Sequence, residues 1–216
     1  MTPDAVAAAI ARGASEMQQA LPAGAAERLA ILLAELQRWG ARINLTAIRD
    51  LPGMISGHVL DSLAARPLLQ GRTVLDVGTG AGFPGLPLAI VEPGLEITLL
   101  DSNGKKISFV QHMIGELGIG NATAIKSRVE DFRPEQPFDT VIARAFAPLP
   151  RMLTQTGHLL GETGMLLALK GKYPAAELAE LGETDNTWKY AVTELNVPGL
   201  VEHERHAISL QRATGS

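Results

Sequence analysis

Residues 74–90, VLDVGTGAGFPGLPLAI, place four glycines in eight positions directly behind an apolar run that contains a carboxylate, Asp76. Backbone this bare is needed where the chain must turn sharply or approach a ligand with no β-carbon in the way. The apolar run reads as a strand, and Pro84 fits the start of the helix that follows, where its missing N–H costs nothing. Strand, glycine loop and helix in this order form the ligand cradle of an open α/β sheet, beyond the carboxyl ends of its strands.

The remaining pattern extends that reading. After Gly71, the runs TVLDV, EITLLD, ATAIK, FDTVIARAF, GMLLALK, YAVTELNV and HAISLQRA read as strands. Helices are expected over 84–91, 104–117, a short stretch near 128–132, 149–160 and 174–182. Such alternation calls for a mostly parallel sheet covered on both faces. Only PGLVEHER separates the last two strands, too little for a crossover helix, so that pair should be antiparallel. From Pro3 to about Leu69 the apolar positions recur with helical period, as at Leu29, Leu32, Leu33, Leu36 and Trp39. Breaks at Pro22–Gly24 and the placement of Pro52 and Pro67 give three helices. We therefore divide the chain into a helical extension, 1–72, and a Rossmann-like α/β domain, 73–216, with a seven-stranded mostly parallel sheet and an antiparallel last strand.

Composition removes several function classes. The 216 residues include no cysteine, which excludes disulfides, cysteine-ligated zinc and thiolate nucleophiles. The five histidines are scattered apart from the close pair His203 and His206, and no metal is assigned. No run of eighteen apolar residues and no basic-then-apolar leader is present, which leads to the expectation of a soluble, cytoplasmic protein without a membrane partner. The net charge of −4 argues against coating nucleic acid by bulk electrostatics, so any such contact must be local.

Two cofactors compete for the glycine loop. The dinucleotide fingerprint G-x-G-x-x-G fails in its third position, where Phe83 would wedge between helix and strand. The pattern [D/E]-x-G-x-G-x-G fits Asp76, Gly78, Gly80 and Gly82. An acid beside a pyrophosphate adds like-charge repulsion, whereas it complements the cationic methionine end of S-adenosylmethionine. Asp101, at the end of the second strand, can accept from ribose hydroxyls or, more blandly, cap the following helix. A nicotinamide-dependent oxidoreductase and a non-catalytic S-adenosylmethionine-binding module remain as rival readings. The acceptor is constrained at the fourth strand. Enzymes that methylate exocyclic amines usually carry Asn/Asp-Pro-Pro-aromatic there, and this chain has ARAFA instead; pyrimidine-carbon methylation typically needs a cysteine. An acceptor that is nucleophilic without losing a proton, such as a purine N7, fits what is left.

The segments RINLTAIRD, HVLDSL, DVGTGAGFPGLPLAI, LLDSNGKK, SRVEDF, FDTVIARAFAPL and LALKG together resemble the RsmG (GidB) family of bacterial small-subunit ribosomal RNA methyltransferases, in order from about Leu29 to His206. The first 28 residues match no motif. The resemblance implies transfer of a methyl group from S-adenosylmethionine, leaving S-adenosylhomocysteine, to N7 of one guanine in the decoding-region loop of 16S rRNA. The expected partner is 16S rRNA or the small ribosomal subunit, and a monomer is expected. By position, Gly78 and Phe83 correspond to cofactor-loop contacts, Val129 and Glu130 to the segment beside the adenine, and Arg144 to the residue closing the site. The chain departs from relatives at Ala81 and Phe83, where proline and leucine are common.

His58, Asp61 and Ser62 fall on one face of the third helix, either a solvated face or, given the HVLDS match, a catalytic contribution near the cleft. Asn44 and Thr46 follow the same logic. Lys105, Lys106, Arg128, Lys170, Lys172 and Arg205 are candidate phosphate contacts, and Phe146 is a candidate stacking surface for a target base.

Overall fold

A computed structural model describes residues 1–40, 42–184, 187–200 and 204–213. The N-terminal part forms α1 (Pro3–Glu16) and α2 (Ala25–Gly40), then a third helical segment made of α3 (Leu51–Met54), a π-helical stretch Ile55–Leu60, α4 (Asp61–Ala64) and a 3-10 turn Arg66–Leu68. The α/β part runs β1 (Thr73–Val77), α5 (Gly85–Val91), β2 (Glu96–Asp101), α6 (Gly104–Glu116), β3 (Ala122–Lys126), β4 (Phe138–Arg144), α7 (Leu149–Thr156), β5 (Leu160–Lys170), α8 (Ala175–Thr184), β6 (Trp188–Glu194) and β7 (His206–Arg212).

Among the described residues the strands make one seven-stranded sheet in the order β3-β2-β1-β4-β5-β7-β6. The first five pair in parallel, and β7 runs antiparallel to both β5 and β6. Strand order reverses between β1 and β4, so the crevice at their carboxyl ends is the place for a ligand. Strand β1 is buried on both faces beyond Thr73, as expected of a parallel strand sandwiched between helices.

Some elements differ from the sequence-based expectation. No helix forms near 128–132: a turn joins Asp131 N to Arg128 O at 3.2 Å, and Pro134 limits its extension. Helix α7 stops at Thr156, a 3-10 turn covers Gly157–Leu159, and β5 starts four residues before the GMLLALK run, at Leu160. The sixth strand is displaced toward the N-terminus, to Trp188–Glu194. The third helical segment is not a uniform α-helix, because the π stretch inserts an extra residue into its turn.

The helical extension shares its core with the sheet. Val6 and Ile10 of α1, Leu29, Leu33 and Leu36 of α2, and Val59 and Leu63 pack in one continuous cluster with Leu86, Ile90 and Phe109 of the α/β part. Trp39 meets Phe109 edge-on at 5.5 Å. Arg28 Nη2 donates to Leu117 O at 3.0 Å, just past the C-terminal end of α6, where carbonyls lack helical partners. Residues of the extension are thereby held beside the ligand end of the sheet.

Candidate functional site

The loop after β1 is pinned to β2: Gly78 N and Thr79 N both donate to Leu100 O, at 2.8 and 3.1 Å. Gly78, Gly80 and Gly82 have φ of +68°, +61° and +88°, the left-handed region that a side chain resists. A β-carbon at Gly78 would lie 2.9 Å from the Phe146 ring, and one at Gly82 2.3 Å from Leu86, whereas one at Gly80 would meet Gly78 O at an uncrowded 3.9 Å. Asp76 braces this loop from beneath. Its Oδ2 accepts from Thr79 Oγ1 at 2.6 Å and from Gly85 N at 2.8 Å, while its buried Oδ1 has no partner among the described residues. Burial pushes the Asp76 carboxyl up to about 6, against the lowering effect of those two hydrogen bonds.

A cavity of about 420 Å³ opens beside the loop, walled by Gly78, Leu100, Asp101, Ser102, Lys106, Arg128, Val129, Glu130 and Phe146, and by Arg151 and Gln155 of α7. Asp101 is held at its edge, with Oδ2 accepting from Gly80 N at 3.0 Å and Oδ1 from Asn103 N at 2.8 Å. Each oxygen keeps a lone pair for a further donor. The capping alternative for Asp101 is taken by Asn103, whose Oδ1 accepts from Lys105 N and Lys106 N. Glu130 is fixed by Gln155, whose Nε2 donates to its Oε1 at 2.6 Å.

Of the residues singled out in the sequence for a cofactor, Gly78, Asp101, Val129 and Glu130 line this cavity; Asp76, Gly80, Gly82, Phe83 and Arg144 do not. Asp76 and Gly82 shape the loop, and Gly80 donates to Asp101. Phe83 is buried elsewhere, stacked on His58 with ring centroids 4.8 Å apart. Ser102, Arg151 and Gln155 carried no signal in the sequence, although Arg151 and Gln155 sit four apart on one helix face.

A second cavity, of about 410 Å³, lies on the other side of Ala145, which lines both. Ala145 has φ of +51°, an uncommon conformation for a residue with a β-carbon. Arg144 before it faces the second cavity and Phe146 after it faces the first. Arg144 Nη1 donates to Gly57 O and to Asp61 Oδ2, both at 2.9 Å, and its guanidinium carbon stands 5.9 Å from the Phe83 ring centre. The π stretch prepares this contact: Asp61 N donates to Ser56 O and His58 O rather than to Gly57 O, which accepts from Arg144. Arg205 Nε donates to the other Asp61 oxygen at 3.0 Å, so one buried carboxylate joins two guanidiniums.

The solvated-face reading of His58, Asp61 and Ser62 is overturned, because all three are buried. Desolvation and then the neighbouring Arg144 lower the His58 pKa to about 4, so its ring is neutral near pH 7. An arginine only donates, so His58 Nδ1 accepts from Arg144 Nη2 at 3.4 Å and Nε2 carries the proton toward Thr46 Oγ1 at 2.7 Å. Asn44 is exposed and makes no comparable contact among the described residues.

The candidate phosphate contacts divide. Lys105 and Lys172 are exposed, Arg128 is exposed at the rim of the first cavity, and Lys106 lies 4.0 Å from Asp101. Lys170 is instead occupied, donating to Ala147 O at 2.9 Å and pairing with Glu177 at 2.7 Å. Phe146 is half-buried over Gly78. Among the described residues no group of three or more His, Asp or Glu is arranged to hold a metal, and no helix is long and apolar enough to cross a membrane. His203 lies outside the described residues.

A family model described as rRNA small subunit methyltransferase G (GidB) matches residues 25–208. A ribosomal RNA small subunit methyltransferase G of Alkalilimnicola ehrlichii is 44% identical over 209 residues, 97% of this chain and 94% of that protein. One from Legionella pneumophila (strain Corby) is 48% identical over 170 residues, 79% of each chain. Among solved structures, a ribosomal protein L11 methylase from Lactobacillus delbrueckii subsp. bulgaricus superposes with a TM-score of 0.56 at 18% identity, over 72% of this chain and 77% of that one, a likeness of fold.

Proposed function

The chain belongs to the rRNA small subunit methyltransferase G (GidB) family, and on that premise we propose that it transfers a methyl group from S-adenosylmethionine to N7 of a guanine in the decoding-region loop of 16S rRNA. The observation that carries the reading is the match to such a methyltransferase along 97% of the chain. The first cavity suits the donor. Gly78 presents main chain without a β-carbon, and Asp101 keeps lone pairs for two ribose hydroxyls. Val129 and Glu130 would flank the adenine, and Asp76 would keep the loop in shape.

When bound, the donor supplies an electrophilic methyl group whose bond pair returns to sulfur as the N7 lone pair takes the carbon, so no proton has to leave. The residues present agree with chemistry that needs no base. Arg144 and Arg205 only donate, and Asp61 is occupied by both of them. The work left to the protein is alignment and the exclusion of water, effects that reach roughly 7–11 kcal/mol in well-oriented systems. A monomer acting in the cytoplasm on 16S rRNA or the assembling small subunit completes the proposal.

Purified protein should bind S-adenosylmethionine in a calorimeter and release S-adenosylhomocysteine when unmethylated small subunits are added. Binding of NAD in its place, or donor binding without turnover on any form of the RNA, would overturn the reading.

A further inference from the structure

Two cavities back to back across one residue give each partner of a transfer reaction its own place, and the second cavity's chemistry says what it takes. Leu169 and Leu195 supply apolar wall, and His58 supplies a neutral ring resting on Phe83. The charged wall is made of donors. Asp61 is held by Arg144 through Oδ2 and by Arg205 through Oδ1. Arg205 uses Nε on Asp61 and Nη1 on Glu204 O, and its Nη2 has no partner among the described residues.

A partly apolar cavity edged by donors suits an unstacked base that shows an acceptor to the wall. Guanine carries a carbonyl oxygen next to N7, where adenine carries an amino group that would meet a guanidinium donor to donor. We infer that the second cavity holds the acceptor guanine, that Arg205 reads its 6-carbonyl through Nη2, and that Asp61 is a positioning residue that fixes the Arg205 fork. The inference rests on the rRNA methylation proposed above. A neutral His58 fits it, because the methylated base becomes cationic and a further positive group beside it would oppose that charge.

The test uses the full-length protein and small subunits reconstituted with 16S rRNA carrying guanine, inosine or 2-aminopurine at the target. Inosine keeps the 6-carbonyl and lacks the 2-amino group; 2-aminopurine does the reverse. Wild type should methylate inosine nearly as well as guanine and lose about 10- to 100-fold in kcat/KM on 2-aminopurine. Arg205→Gln should lose a similar factor on guanine and little more on 2-aminopurine, with unchanged affinity for S-adenosylmethionine. Arg205→Lys, which keeps a charge for Asp61, guards against a folding defect and should show the same pattern in milder form. Equal wild-type rates on the two analogues, full activity of Arg205→Gln on guanine, or a parallel loss of donor affinity would each overturn the inference. Wild type that methylates none of the three would instead remove the methylation reading beneath it.

Discussion

Burial drives His58 and Asp76 toward neutrality from opposite sides, and the consequences for stability oppose each other in one pH window. His58 falls from 6.5 to about 4 in the folded protein, so its contribution is full above pH 6.5 and is lost as pH falls through 4. Asp76 rises from 3.8 to about 6, so its contribution is full below pH 3.8 and is lost as pH rises through 6. Each is worth on the order of 3 kcal/mol. In urea unfolding at a series of pH values, Asp76→Asn should gain on wild type between pH 4 and 6, and His58→Gln should gain on it as pH falls from 6.5 to 4. Differences that stay constant with pH would mean that neither group is buried as described. Arg144 makes a separate prediction, because one of its nitrogens serves Gly57 O and Asp61 at once while the other reaches His58. Lysine cannot reproduce that planar fork. Arg144→Lys should lower kcat/KM on small subunits about 10- to 100-fold while donor affinity holds; full activity would show that the fork does not matter.

The glycine loop and the π stretch are the elements that convert those residues into a site. In the loop, two substitutions separate backbone strain from crowding. Gly80→Ala adds strain alone, of order 1 kcal/mol, because the nearest atom to its β-carbon would be Gly78 O at an uncrowded 3.9 Å. Gly78→Ala adds the collision with Phe146 and should lower stability by about 2–3 kcal/mol, and donor affinity with it. Thermal unfolding that ranks Gly80→Ala as the worse of the two would contradict this division. The loop was legible in the sequence because its spacing is local and its residue type is forced. The π stretch was not: a single inserted residue leaves the apolar pattern of ISGHVLDSL compatible with an ordinary helix, and burial of His58 and Asp61 depends on Phe83, Arg144 and Arg205, far away in the chain. The pairing of Lys170 with Glu177 was hidden for a related reason, since a lysine after a strand looks free until the following helix is placed. Arg151 and Gln155 likewise carry no signal until α7 is set against the turn at Val129 and Glu130.

At the scale of the molecule, the change of pattern near residue 72 marks a change of secondary structure but not an edge of the core. Leu29, Leu33, Leu36 and Leu63 are fully buried against the same cluster as Leu86 and Phe109. Exposing that surface would forfeit roughly 1.5–3 kcal/mol for each large side chain, against a total stability of about 5–15 kcal/mol. A fragment beginning at residue 73 should therefore lack a cooperative unfolding transition, and a fragment that melted cooperatively would show that the α/β part stands alone. The extension also brings Gly57, His58 and Asp61 to β4, so the second cavity exists only in the whole chain. The mostly parallel sheet with its antiparallel last strand, the loop and the acid at the end of β2 could be anticipated from periodicity and residue type, whereas this second cavity is built from five separated segments and emerged only with the tertiary structure. The net charge of −4 sits with cations gathered at that end, Lys106 and Arg128 at one cavity and Arg144 and Arg205 at the other. The central claim is that this assembly methylates a single guanine of the small-subunit RNA, and nucleoside mass mapping of 16S rRNA reads it directly. Deleting the gene should abolish one 7-methylguanosine in the decoding-region loop and restoring it should bring that nucleoside back; a map that is identical in the two strains would contradict the account.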